Sequence, residues 1–141
     1  MLVKRYVAER GSRAVAGWLA SGDVATSRLS EVEVVSALAR RTREGDIAAT
    51  DRDRALAGLQ DDLGAVHIVE LLPQVTTRAR ALLTEHRLRA GDAIQLASCQ
   101  FLCDELDEPV PFVAFDRGVR AAARAAGLRL LPSRLAGGGS G

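Results

Sequence analysis

Short apolar runs alternate with longer helical stretches along this chain, and that alternation constrains its fold more than any other feature. The runs are Val24-Ala25-Thr26, His67-Ile68-Val69-Glu70-Leu71, Phe112-Val113-Ala114-Phe115 and Leu128-Arg129-Leu130-Leu131. Between them the apolar spacing is helical. It predicts helices over residues 2–9, 12–20, 29–43, 50–63, 74–85, 91–103 and 117–126. Strands joined through helices of about 10–15 residues cannot pair as hairpins, so they read as βαβ units on a parallel sheet. Trp18 and Leu19 are expected to face the core. Residues 104–111 read as an acidic, proline-bearing loop. Residues 1–135 are expected to form one domain, and 136–141 a flexible Gly/Ser tail.

Composition narrows the class. The 141 residues are 48% hydrophobic and 26% charged, which is globular and neither disordered nor disulfide-rich. A net charge of +1 argues against binding polyanions by bulk electrostatics, though a local basic rim remains open. No apolar run approaches the roughly 20 residues of a membrane span. The start of the chain lacks the long apolar region of a secretory signal, so the expected location is the cytoplasm. Cys99 and Cys103 lie four apart in a helical pattern, and the two histidines are isolated. Zinc wants four ligands, so the cysteines read as two small buried hydrophobes in a reducing compartment. Eighteen of the nineteen basic residues are arginine, Lys4 being the exception, and this reads as coding bias.

In an open parallel sheet, chemistry sits beyond the carboxyl ends of the strands. Acidic residues stand out there. Asp116 directly follows Phe112–Phe115, and Asp92 opens the helix beginning at Gly91. Each alone reads equally as a helix cap, because a carboxylate accepts the orphan N–H groups of a first turn. Glu31 and Glu33 lie in the helix after Val24–Thr26, and helical angle does not choose between them. Ser30-x-x-Glu33 also matches a capping box, as Thr50-x-x-Asp53 does more loosely. Taken together, gathered carboxylates repel one another unless a hard cation neutralises them. Mg²⁺ and Mn²⁺ take carboxylate oxygens and retained water, and activate a water for attack on a phosphodiester. No nucleophilic serine motif or phosphate-cradling glycine loop competes with that chemistry, which also counts against a flavodoxin-like binding module.

These residues bring a family into view. The sequence resembles the PIN-domain ribonucleases, and among them the VapC-type toxins of toxin–antitoxin pairs. The likeness rests on four pieces, in order and at the right spacing. The opening Leu2–Ser12 looks like the stretch just after the family's first catalytic aspartate. Thr26-Ser27 with Glu33-Val34-Val35-Ser36-Ala37-Leu38 looks like its glutamate-bearing segment, which selects Glu33 over Glu31. Asp92-Ala93-Ile94-Gln95-Leu96-Ala97 looks like its Asp-Ala-x-x-Leu-Ala helix, and Phe115-Asp116-Arg117 with Gly127-Leu128 looks like its last acidic motif.

The resemblance implies an α/β, three-layer α/β/α sandwich on a short parallel sheet, lacking the first strand. It implies a metal-dependent endoribonuclease in which Glu33, Asp92 and Asp116 bind Mg²⁺ or Mn²⁺. It also implies a structured RNA such as tRNA as substrate, a small VapB-like antitoxin as partner, and a homodimer. One departure stands out: the family's first aspartate, with the central strand before it, would fall ahead of residue 1. That leaves a second expectation, an impaired or truncated PIN domain that only binds antitoxin or RNA. Ala114 is a smaller departure, standing where many members carry a hydroxyl residue.

A ribonuclease must also hold phosphates. Lys4, Arg5, Arg28, Arg40, Arg41, Arg87, Arg89, Arg117 and Arg120 lie near the motif-bearing segments. Of these, Arg28 and Arg117 are the expected RNA contacts, beside Ser27 and Asp116. Aromatic residues make up only 4% of the chain, which favours recognition of RNA shape and backbone over base stacking.

Overall fold

The computed structural model describes residues 24–135. The helices expected over 2–9 and 12–20, with Trp18, Leu19, Lys4 and Arg5, lie outside the described residues, as does the tail from 136. The elements in order are β1 (Ala25–Ser27), α1 (Ser30–Arg43), α2 (Ala49–Gly64), β2 (His67–Val69), α3 (Pro73–Glu85), α4 (Ala90–Leu106), β3 (Phe112–Val113), α5 (Arg117–Ala125) and β4 (Leu130–Leu131). The protein is thus mixed α/β with short parallel strands, as the alternation predicts. Its contacts fall into two units that divide at Leu71 and Leu72.

In the first unit, β1 and β2 pair in parallel, with Ala25, Thr26 and Ser27 opposite His67, Ile68 and Val69. The connection is the helix pair α1–α2. Val34 and Leu38 of α1 meet Leu59 and Leu63 of α2 in one buried cluster, and Ile47, Ala55, Leu56 and Ile68 pack against it. The four-residue spacing of each pair puts both members on one helix face, which is why these helices bury a stripe and leave their arginines in water. Gly45, at φ +79°, ends α1 in the left-handed conformation that glycine adopts without strain.

In the second unit, β3 and β4 pair in parallel, Phe112 opposite Leu130 and Val113 opposite Leu131. Helix α5 forms the crossover and buries Val119, Ala122 and Ala123. Helices α3 and α4 pack on each other. They bury Val75, Ala79 and Leu82 from α3, and Ala93, Leu96 and Ala97 from α4.

Three expectations are corrected. Helix α4 runs to Leu106 and ends on Asp107 at φ +51°, so the first residues of the expected 104–111 loop are helical. The Thr50–Asp53 capping box is not made, because α2 starts at Ala49 with Ala48 as its N-cap and no side-chain cap. Strands β2, β3 and β4 are shorter than the apolar runs that contain them, and β1 lies one residue later than Val24–Thr26; pairing lasts only two or three residues.

Candidate active site

All three acids singled out from the sequence occupy the N-terminal end of a helix. Glu33 is in the first turn of α1, Asp92 in the first turn of α4, and Asp116 is the N-cap of α5. A helix N-terminus carries about half a positive charge, so all three stand where the helix dipole presents its positive end. Glu33 belongs to the first unit, Asp92 and Asp116 to the second. Glu33 and Asp92 are half-buried and Asp116 is exposed. Within neither unit do three or more His, Cys, Asp or Glu side chains of the described residues cluster closely enough to hold a metal ion.

The capping readings separate cleanly. Asp116 does cap its helix: Oδ1 accepts the Val119 N–H at 2.9 Å. That bond uses one carboxylate oxygen and leaves Oδ2 outside it. A side-chain carbon at Gly118 would stand 3.2 Å from the same Oδ1, so the missing Cβ gives the cap its room. Asp92 is not a cap, since Arg89 holds that position without a side-chain bond. Ser30 does not hold the N-cap position either. Leu29 is the N-cap of α1, again without a side-chain cap bond, and the buried Ser30 hydroxyl meets Thr26 Oγ1 at 2.5 Å. Buried Ser27 accepts the Leu29 N–H at 3.1 Å. The Thr26-Ser27 pair therefore shapes the turn from β1 into α1, the turn that precedes Glu33.

The arginines are used differently from what their sequence positions suggest. Arg28 is gripped by carboxylates. Its Nε donates to Glu70 Oε2 at 3.0 Å, Nη2 donates to Glu70 Oε1, and Nη1 reaches Glu31 at 3.4 Å. This fork, together with the Arg28 N–H donating to Val69 O, ties the ends of β1 and β2. Glu31 thereby has an ion-pair partner on its own turn. The Arg28 guanidinium holds the Glu70 carboxyl below the usual glutamate range, chiefly through the hydrogen bond. Arg117 is exposed. Arg120, expected in the basic rim, is instead only 4% exposed, with its guanidinium turned onto main-chain carbonyls.

Cys99 and Cys103 are free and half-buried. Both thiols lie against Val110: Cys99 Sγ donates to its carbonyl at 3.4 Å, and Cys103 Sγ accepts its N–H at 3.2 Å. Burial, with Cys103 alongside, pushes the Cys99 thiol up to about 12. A thiol so hard to ionise is a poor metal ligand and a slow nucleophile, which fits the structural reading of the pair.

Sequence reasoning missed Gly118, Glu70 and the buried role of Arg120. Gly118 left a trace, as glycine in a helix costs about 1 kcal/mol relative to alanine and asks for a reason. Glu70 ends an apolar run and offers no local sign of its partner 42 residues away. Arg120 is indistinguishable in sequence from the solvated arginines around it.

Short parallel strands with acids at the starts of three helices define a mixed α/β class of protein, and comparison with known proteins narrows it. The chain belongs to the PIN domain family, which it matches over residues 3–125, across both units. It is homologous to the VapC ribonucleases. It is 36% identical over 135 residues to Ribonuclease VapC45 of Mycobacterium tuberculosis (strain CDC 1551 / Oshkosh), covering 94% of this chain and 91% of that relative. The same figures hold for Ribonuclease VapC49 of strain ATCC 25618 / H37Rv.

Proposed function

We propose that this protein is a VapC-type toxin that hydrolyses RNA phosphodiester bonds, with Glu33, Asp92 and Asp116 as the acids that serve the reaction. The observation that carries this reading is the shared position of the three acids at helix starts, in a chain homologous to ribonucleases over 94% of its length. Their donor chemistry, carboxylate oxygens without sulfur or imidazole, fits Mg²⁺ or Mn²⁺. A bound divalent cation would supply charge neutralisation on the phosphate and an acidified water.

The protein's own residues do the rest. The Val119 N–H fixes one oxygen of Asp116 and so orients the other. Arg117, exposed beside Asp116, is the proposed phosphate contact. Arg28 would have to exchange or share Glu70 to serve the same end, so its proposed contribution is smaller. The remaining partners are those the VapC resemblance suggests: a structured RNA as substrate, a small antitoxin that covers the acidic site, and a second copy of the chain.

The test is cleavage of a structured RNA with Mg²⁺ present and then chelated. Metal-dependent cleavage, lost in Glu33→Gln, Asp92→Asn and Asp116→Asn, supports the proposal. Cleavage that persists in chelator or in all three variants overturns it. Antitoxin or RNA binding without any cleavage favours the non-catalytic alternative.

A further inference from the structure

We infer that Arg120 is a positioning residue, whose buried guanidinium clamps the end of β3 so that Asp116 is presented at a fixed place. This rests on the role proposed above for Asp116. Burying a guanidinium is costly unless its donors are satisfied, and Arg120 is 4% exposed. Its partners are main-chain carbonyls: Nη1 donates to Ala114 O at 2.9 Å and Nη2 to Ser133 O at 3.3 Å. Ala114 is the residue just past β3, and Ser133 lies just past β4. One planar fork thus spans the carboxyl ends of both parallel strands.

The same residue grips Asp116 from the other side. The Arg120 N–H donates to Asp116 O at 2.9 Å, while Asp116 Oδ1 accepts the Val119 N–H. The segment 114–116 is therefore held at its first carbonyl by the Arg120 side chain and at its last by the Arg120 backbone. The Ala114 N–H is already committed to Leu131 O, at 3.2 Å. Residue 115 is left as the bridge between two fixed peptides, and the direction of the Asp116 carboxylate follows from them. Lysine has one donor centre and cannot span both carbonyls as a planar fork does. A solvated arginine at this place in α5 would keep the backbone bond, which any non-proline residue makes, and lose the fork across the two strand ends; Arg124 on the same helix is exposed.

The experiment measures amide hydrogen exchange in the metal-free protein and RNA cleavage in parallel, for Arg120→Met, Arg120→Lys and the control Arg124→Met. In Arg120→Met the Val119 amide, whose partner is Asp116, should exchange about 10-fold faster or more, while the Ala97 amide in α4 keeps its rate. Cleavage should lose about 10-fold or more in kcat with KM within about two-fold, because a misplaced catalytic group costs rate rather than binding. Arg120→Lys should fall between, and Arg124→Met should match the parent. If Arg120→Met does not fold, Arg120→Lys decides by the same readouts. Equal acceleration of Val119 and Ala97, or unchanged Val119 exchange, overturns the clamp. A parent that cleaves no RNA overturns the nuclease reading alone, and the exchange data still decide whether Arg120 fixes Asp116.

Discussion

At the scale of single residues, the most informative feature is that one carboxylate has two jobs. Asp116 caps α5 through Oδ1 and is the proposed cation ligand. Substitutions can separate the two. Asparagine is as good an N-cap as aspartate, whereas alanine loses about 1 kcal/mol there. Asp116→Asn should therefore melt within about 0.5 kcal/mol of the parent, and Asp116→Ala about 1 kcal/mol below it, with both inactive on RNA. Equal destabilisation by the two, in thermal or urea unfolding, would contradict the cap. Glu70 offers a second residue-level check. Its carboxyl is lowered by Arg28, so the pair contributes above the unfolded-state pKa and is lost as pH falls through the folded value. Both side chains are exposed and the contribution is small. A carboxyl-carbon NMR titration should find Glu70 below the other glutamates, and back among them in Arg28→Met. An unmoved midpoint in that variant would remove Arg28 as the cause. Cys99, held up near 12, should alkylate slowly at pH 8 and faster with every rise in pH beyond it. A rate that levels off between pH 8 and 9 would contradict its burial.

At the scale of elements, periodicity revealed most of what there was to know. Helices α1 to α5 and the four strands fall where the apolar spacing puts them, because each element buries one stripe or one edge and that demand is written locally. Boundaries were less legible. Helix α4 outruns its expected end because an aspartate, not a glycine, takes the left-handed position at its close. The cap-like patterns at Ser30 and Thr50 start one and two residues past the N-caps Leu29 and Ala48. At Ser30 the hydroxyl is spent on Thr26, a contact across a turn that local sequence does not encode. The first unit hangs on the α1–α2 contact. Leu38, 1% exposed in that cluster, should cost about 2–5 kcal/mol on replacement by alanine. A urea midpoint unchanged in Leu38→Ala would mean that the cluster is not the unit's core.

At the scale of the whole molecule, the near-zero net charge is a sum of opposites: acids at helix starts and arginines dispersed over the surface. The family was legible in sequence because motif order survives in a linear string, and so were the helix starts at which Glu33, Asp92 and Asp116 stand. The true employment of the arginines was not, because it depends on partners as remote as Glu70 for Arg28 and Ser133 for Arg120. Two of the nine arginines and lysines marked for RNA turn out to be structural ties, and the basic surface is correspondingly reduced.

The central proposal is that Glu33, Asp92 and Asp116 each serve in binding the cation. Calorimetric titration with Mn²⁺ tests it most directly. The parent should show one saturable binding event, and each of Glu33→Gln, Asp92→Asn and Asp116→Asn should weaken it at least about 10-fold. Binding that is absent in the parent, or unchanged in the three variants, would contradict the claim.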